Sequence, residues 1–273
     1  MHEEHASSTA LGAAAIRAAH QVIDQVPHIL EDPISPLLLK PAALKEITER
    51  PELYGSSAAR GLRSHVVLRS RYAEDKLREA IGRGVRQFVS LGAGYDTFAY
   101  RQPSWAQHIA IVEMDHPATQ REKQALFLSR GMSCPENLEF VPVDFELEKV
   151  LDVLLRTSIR RDLPVWMSCL GVLAYLRRET AFGIFRAVSA MPRGSGIVFA
   201  FAGDSPSPVA NRAADLGEPW LTRFSVEELK NGLRDSGLTD AEFLSPEESK
   251  ERYYAIRTDL PAPRAVRLCA ARS

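Results

Sequence analysis

Gln87-Phe88-Val89-Ser90-Leu91-Gly92-Ala93-Gly94-Tyr95-Asp96-Thr97 runs from a short apolar stretch into a glycine turn and then straight into an acid. Gly92 and Gly94 carry no Cβ, so the backbone there can turn sharply and let a ligand come close. Glu113 and Asp115 follow, about 20 residues on, where a carboxylate at the end of a second strand can accept both hydroxyls of a ribose. A third apolar run ends in Val143-Asp144-Phe145. A carboxylate beside an aromatic ring suits an adenine, with Asp144 accepting from the exocyclic amine and Phe145 packing on the ring. Asp144 would serve equally well as the N-cap of a helix over 146–155. Three acidic loop positions after three successive strands favour the ligand.

The dinucleotide fingerprint asks for a third glycine, and this chain has Thr97 there. A ligand without a pyrophosphate does not need that glycine, which serves to bring a helix N-terminus onto phosphate. S-adenosylmethionine is such a ligand: adenosine, an amino-acid tail and a sulfonium. Its tail carboxylate calls for a cation. Arg69 and Arg71 are candidates, because a guanidinium grips a carboxylate through two parallel bonds. The alternative for either arginine is a solvated helix face.

These residues need a scaffold that delivers them to one crevice. Phe88–Leu91, Ile109–Met114, Leu138–Val143, Val165–Leu170 and Gly196–Phe201 are apolar runs of strand length. Segments at about 117–130, 146–156 and 178–190 between them have helical spacing. Strands alternating with helices imply a parallel sheet of right-handed βαβ units, with strands buried on both faces. Roughly the first 85 residues read as helices, over 9 to about 30, 37–49 and 56–81, with Thr9 a possible cap for the first. They precede the sheet as a helical cap, 1–85, on an α/β domain, 86–273. Residues 203–224 read as an insertion, its stretch to 221 too rich in Pro, Gly and Asp for a regular element. A helix over 225–235 and runs near 241–244 and 265–270 would close the sheet with a hairpin-like pair. The separate helical block and the insertion suggest a lid.

Composition narrows the function. Lys plus Arg number 34 against 35 Asp plus Glu, a balance that argues against a binder relying on phosphate neutralisation. No polybasic run or apolar span points to a membrane. The polar, acidic start Met1-His2-Glu3-Glu4-His5 does not read as a signal peptide. Cys134, Cys169 and Cys269 show no metal-ligand or disulfide spacing, so a cytoplasmic setting and no metal are expected.

Taken in order, Arg69-Ser70-Arg71-Tyr72, Leu91–Thr97 with Ala99-Tyr100-Arg101, Glu113–Gln120 and Val141-Pro142-Val143-Asp144-Phe145 resemble the leucine carboxyl methyltransferase family. The similarity is to its bacterial branch of small-molecule and polyketide O-methyltransferases, and it spans about residues 60 to 200. The resemblance implies a class I methyltransferase fold, Rossmann-like, with a seven-stranded mostly parallel sheet whose last strand is antiparallel. It implies S-adenosyl-L-methionine as cofactor. By position, Arg69 would hold the methionine carboxylate, Gly92 and Gly94 would form the cofactor loop, Asp115 would take the ribose, and Asp144 with Phe145 the adenine. Glu113 is the fallback for the ribose. Two positions depart from the family pattern. Leu170 stands where the family has an acid, so the cofactor ammonium loses a contact or takes a backbone carbonyl instead. Phe98 stands where the branch often has arginine.

The expected reaction is O-methylation of a small-molecule carboxylate, as in secondary metabolism. A carboxylate is ionised at neutral pH and needs no general base, whereas a hydroxyl acceptor would. Hydroxyl methylation, or a cofactor-binding protein that has lost transfer through Leu170, are the alternatives. No catalytic residue is assigned. Tyr175 is a candidate beside the transferred methyl, and equally an aromatic packed at the sheet end. Trp220 and Phe224 could line an acceptor pocket or anchor a loop. His65, His108 and His116 carry no expected proton-transfer role.

Overall fold

The computed structural model describes residues 6–205 and 208–273. Met1–His5 and Pro206–Ser207, which belong to the polar start and the Pro-rich insertion, lie outside them. Seven strands form one sheet: β1 (Gln87–Leu91), β2 (Ala110–Asp115), β3 (Leu138–Pro142), β4 (Trp166–Cys169), β5 (Gly196–Ala200), β6 (Asp240–Phe243) and β7 (Leu268–Arg272). Their order is β3-β2-β1-β4-β5-β7-β6. The first five are parallel, and β7 runs antiparallel between β5 and β6.

The sequence explains why the sheet is central. β1 and β5 are buried at every position, and so is β4, because βαβ crossovers cover both faces of a parallel sheet. Alternate side chains feed two cores. Val89, Val112, Met167 and Phe199 pack toward α6 (Arg178–Ser189) and α8 (Val226–Asp235). Phe88, Ile111, Trp166 and Val198 pack toward the 26-residue α3 (Ser57–Gly82). The strand order reverses between β1 and β4, where Leu91 pairs with both Met114 and Cys169. A crevice at the carboxyl ends of strands, at such a switch point, is where open α/β sheets take ligands.

Helices α1 (Ser8–Ile23) and α2 (Pro41–Glu49) precede the sheet, and α1 is tied to it by buried charge. Arg17 donates from Nε to Asp32 at 3.0 Å and from Nη2 to the Tyr95 carbonyl at 2.6 Å. Arg101, next to the glycine turn, approaches Asp32 at 3.5 Å and pairs with Glu74 of α3. Burial alone would raise the Asp32 pKa, but Arg17 and Arg101 outweigh it and hold the carboxyl below its ordinary value. A second knot joins Asp24 to Arg63 of α3, with both bonds at 2.7 Å, and to His20 at 2.8 Å. That knot ends α1 at Ile23, short of the 9–30 helix that the Ala-rich spacing predicts.

Two further expectations change. The helix over 146–156 contracts to α5 (Val150–Leu154), because Asp144 caps a turn instead: its carboxylate accepts from Glu146 N–H at 2.9 Å. The 203–221 stretch does contain a regular element, α7 (Pro208–Asp215). Pro208 suits the first turn of a helix, and Ala210 and Ala213 are buried on one side of it.

Candidate functional site

The glycine turn is held by the strand beside it. Gly92 N–H donates to the Met114 carbonyl at 2.8 Å, and Gly94 N–H donates to the Asp115 carboxylate. Gly92 and Gly94 have φ of 67° and 51°, the left-handed region that side chains with a Cβ resist. Both are also crowded from above. A Cβ on Gly92 would strike the Val172 side chain, and one on Gly94 would lie 3.0 Å from Ala10 Cβ of α1. The first turns of α1 therefore roof the glycine loop.

Asp115 is buried and also accepts from His116 N–H at 2.6 Å. Burial raises its pKa, and the two backbone N–H groups oppose the rise. A carboxylate offers about four lone-pair sites, so two remain for a diol. Glu113, one inward step back along β2, is spent otherwise. It pairs with the buried Lys123 of α4 (Pro117–Ser129) and faces the interior, with its pKa raised by burial to about 7. Of the two acids, Asp115 is the one at the carboxyl end of the strand, against the glycine loop.

Arg69 and Arg71 separate just as clearly. Arg71 is taken by Asp75 at 3.0 Å on the outer face of α3. Arg69 sits half-buried with its guanidinium against Gly171, just past β4, where a Cβ would lie 2.7 Å from Nη1. Among the described residues no carboxylate or carbonyl is bonded to Arg69. Burial and the charge of Arg17 lower its pKa to about 10, with Tyr175 and Asp96 opposing. A cation left short of anions beside a glycine loop is a receptor for an anionic group.

Asp144 and Phe145 come at the end of β3, both half-buried, with Phe145 resting on the core beneath α6. One Asp144 oxygen is used by the turn, so the cap and the ligand role are compatible. The β3 end is joined to the β2 end by Val143 N–H donating to the Asp115 carbonyl at 2.8 Å. Tyr175 closes the far side. It lies in a short turn after β4, half-buried, with its hydroxyl 3.4 Å from Thr9 Oγ1 of α1. Leu170 packs toward the α3 core, and Phe98 is buried between Phe88 and Trp105 under Arg101. Phe98 is therefore part of the core. Phe224 is likewise buried, against Phe182.

Sequence reasoning missed Glu218. Its carboxylate collects four donors at the start of α1: Ser7 Oγ at 2.9 Å, Ser8 N–H at 2.7 Å, Thr9 N–H at 3.4 Å and Thr9 Oγ1. Three residues later the same strap bonds the β4 end, with Leu221 N–H donating to the Ala174 carbonyl at 2.7 Å and Thr222 Oγ1 to the Leu176 carbonyl at 2.6 Å. The hydroxyl run Ser7-Ser8-Thr9 was the available signal, but nothing in the sequence names its partner over such a distance. The imidazoles near the crevice are occupied or weak. His116 accepts from Ala118 N–H at 3.4 Å, and burial together with Arg69 pushes His65 down to about 4.

Among the described residues, no three or more His, Cys, Asp and Glu side chains gather as a metal site. No helix among them is long and apolar enough to cross a membrane.

Residues 10–189 match the leucine carboxyl methyltransferase family. YktD of Bacillus subtilis, named as an S-adenosyl-L-methionine-dependent methyltransferase, is 35% identical over 70% of this chain and 66% of its own length, so this chain spans just under two thirds of that relative. A Mycolicibacterium smegmatis protein of like name is 28% identical over 79% of this chain and 73% of its own. Among solved structures, a methyltransferase from Thermobifida fusca superposes with a TM-score of 0.59 at 16% identity, covering 100% of this chain and 96% of that one. A Streptomyces avermitilis protein does so at 0.56 and 18%, covering 95% and 97%. At such identities these two structures bear on the fold alone.

Proposed function

The chain belongs to the leucine carboxyl methyltransferase family, and from that premise we propose that it methylates the carboxylate of a small molecule. It is an S-adenosylmethionine-dependent methyltransferase with a class I fold. Bound S-adenosylmethionine supplies a methyl group activated on a sulfonium.

The residues fit that cofactor. Among the described residues no anion is bonded to the Arg69 guanidinium, and in this reading it would take the methionine carboxylate. Gly92 and Gly94 give the tail room to lie on backbone. Asp115 keeps two acceptor positions for the ribose hydroxyls. The free oxygen of Asp144 takes the adenine amine, and Phe145 forms the wall. With Leu170 turned toward the core, the ammonium falls to backbone carbonyls of the glycine turn.

The observation that carries the acceptor class is the state of the bases. His65 is too weakly basic to hold a proton at neutral pH, His116 is capping α4, and Glu218 is engaged by four donors. A hydroxyl acceptor needs a base, and a carboxylate does not. With a carboxylate acceptor the protein would have to hold one oxygen in line with the activated methyl group and would need to move no proton. The protein's work is then alignment and exclusion of water, which in favourable systems supplies about 7–11 kcal/mol. Tyr175 and Thr9, whose hydroxyls lie 3.4 Å apart, are the side chains we propose to border the acceptor.

Calorimetric titration with S-adenosylmethionine tests the reading, on the wild type and on Asp115→Ala. Micromolar binding that the substitution abolishes is expected, and absence of binding to the wild type would overturn it. Label transferred from methyl-tritiated cofactor should then be released by mild alkali, as an ester is. Alkali-stable label would mean a hydroxyl acceptor.

A further inference from the structure

A second guanidinium without a bonded anion stands at the carboxyl-end rim of the sheet, and it belongs to the last strand. β7 runs antiparallel to β5, so its first residues lie level with the end of β5. Leu268 pairs with Ala200, and Phe201 N–H donates to the Arg267 carbonyl at 3.1 Å. The Arg267 side chain lies over the Phe201 ring, its guanidinium carbon 5.9 Å from the ring centre. The fork rests on Gly203, just past β5, where a Cβ would lie 2.5 Å from Nε and 3.1 Å from Nη2. Arg69 rests in the same way on Gly171, just past β4, and β4 is the parallel neighbour of β5. Neighbouring strands are about 5 Å apart, so both forks belong to one stretch of the rim. Tyr175 belongs to it too. Leu221 N–H donates to the Ala174 carbonyl at 2.7 Å and Phe224 N–H to the Ala202 carbonyl at 2.8 Å, so residues 221–224 join the turn of Tyr175 to the residue before Gly203.

Arg267 is half-buried and makes no ion pair or side-chain hydrogen bond among the described residues, and none of its nitrogens is sealed from solvent without a partner. Other arginines near the rim are engaged. Arg17 is held by Asp32, Arg101 by Glu74, Arg178 by Glu228, and Arg223 donates to the Ser205 carbonyl at 2.8 Å. Packing on Phe201 accounts for the placement of the Arg267 stem, and a cation over an aromatic face is worth about 0.5–1 kcal/mol where solvent is near. It leaves the planar fork of N–H donors unused. Methionine would cover the same ring without bringing a charge to the rim. A fork laid flat on a glycine backbone is suited to a carboxylate, which it meets through two parallel bonds.

We infer that Arg267, seated on Gly203, is the recognition residue for the methyl acceptor and takes the acceptor's carboxylate. The inference rests on the carboxyl methyltransferase reading. That reading asks the crevice to hold two carboxylates at once, the cofactor's and the acceptor's, and the rim carries two forks for them. A carboxylate leaving water for a site that excludes it needs a partner of opposite charge. Arg267 supplies one without drawing on Arg69. The pairing also gives the site a direction. An acid is an anion and binds the fork, whereas its methyl ester carries no charge and loses that bond, so the product is held more weakly than the substrate. Gly203 is part of the device, because any side chain there would push the fork off its seat.

Nitrogen-15 spectra of the full chain read the test through two signals, the Gly203 amide and the Arg267 Nε–H, the latter identified by its loss in Arg267→Gln. The protein is saturated with S-adenosylhomocysteine and titrated separately with acetate, benzoate, octanoate and methyl benzoate. Benzoate or octanoate should move both signals saturably, acetate should do so more weakly, and methyl benzoate should leave them still. In Arg267→Gln the same acid should bind about 10- to 100-fold more weakly, with affinity for S-adenosylhomocysteine unchanged. Arg267→Lys keeps the charge without the fork and should fall between. Arg264→Gln, which removes an exposed arginine three residues away, should bind the acid as the wild type does. Signals that stay still with every acid while the nucleoside binds, equal affinity for benzoate and its methyl ester, or an equal loss in Arg264→Gln overturns the inference alone. The wild-type titration decides the matter even where a variant does not fold. Failure of the nucleoside to bind at all removes the function proposed above and the inference with it.

Discussion

Arg69 and His65 lie one helical turn apart on α3, and their charges are in conflict. Arg69 is half-buried with no bonded anion among the described residues, and its charge adds to the burial that lowers the His65 pKa to about 4. Replacing Arg69 with methionine should therefore have opposite effects on stability and binding. The ligand-free protein should melt no lower than the wild type, because an under-compensated cation is gone. Affinity for S-adenosylhomocysteine should fall about 10- to 100-fold, as expected for loss of charge-assisted bonds. Differential scanning calorimetry and isothermal titration read the two effects, and a large loss of stability in the variant would count against the assignment. His65 makes a separate prediction. Its folded pKa lies below the ordinary 6.5, so the unfolded chain binds its proton first as pH falls. Stability from this group is complete above 6.5 and is lost between about 6.5 and 4. Thermal melts across that window should show a shallower decline in His65→Gln. At this scale the sequence was only partly legible. Residue type placed Asp115, Glu113, Arg69 and Arg71 among the candidates and the family resemblance preferred Asp115 and Arg69, but the physical ground for that preference is which of each pair already has a partner. Lys123 claims Glu113 and Asp75 claims Arg71. Pairing of that kind is set by packing and leaves little trace in spacing.

Secondary structure was read more accurately where a single element satisfied itself. The five parallel strands are short, mostly apolar runs, and the punctuation between them is local, so their order along the chain could be read off directly. The readings failed where an element's boundary was decided from far away. Helix α1 ends where Asp24 is drawn to Arg63 of α3, and the turn after β3 forms because Asp144 caps it. The strap after β5 looked irregular because its anchoring points are on α1 and β4. Glu218 is the hinge of that arrangement, and its removal should act on α1. In Glu218→Ala the first turn of α1 loses the acceptor for two backbone and two hydroxyl donors. Hydrogen exchange of amides in the first turn of α1 should accelerate about 2- to 30-fold while those of α3 hold, since caps of this kind are worth about 0.5–2 kcal/mol. Dissociation of S-adenosylhomocysteine should quicken, because Ala10 roofs Gly94 only while the turn is docked. The buried knot deeper in α1 should behave differently. Asp32→Asn leaves Arg17 and Arg101 facing each other across a lost charge, and a loss of about 3–5 kcal/mol in urea unfolding is expected.

At the level of the whole molecule, the sheet brings the carboxyl ends of β1, β2, β3 and β4 to one rim, and α1 closes that rim from outside. The ligand and the closing helix share one surface, so binding and folding are linked. A ligand present at about 100 times its dissociation constant adds about 2.7 kcal/mol to the stability of the state that binds it. A rise of several degrees in melting temperature is expected with saturating S-adenosylhomocysteine, and Asp115→Ala should not show it. The unpaired guanidinium of Arg69 carries this further, into the life of the protein in the cell. A chain that lacks its cofactor holds a half-buried charge in want of a counterion and unfolds more often, and unfolded chains are what proteases remove. Its abundance should then follow the supply of S-adenosylmethionine, falling when sulfur metabolism is starved, with no dedicated sensor beyond an arginine waiting for its anion.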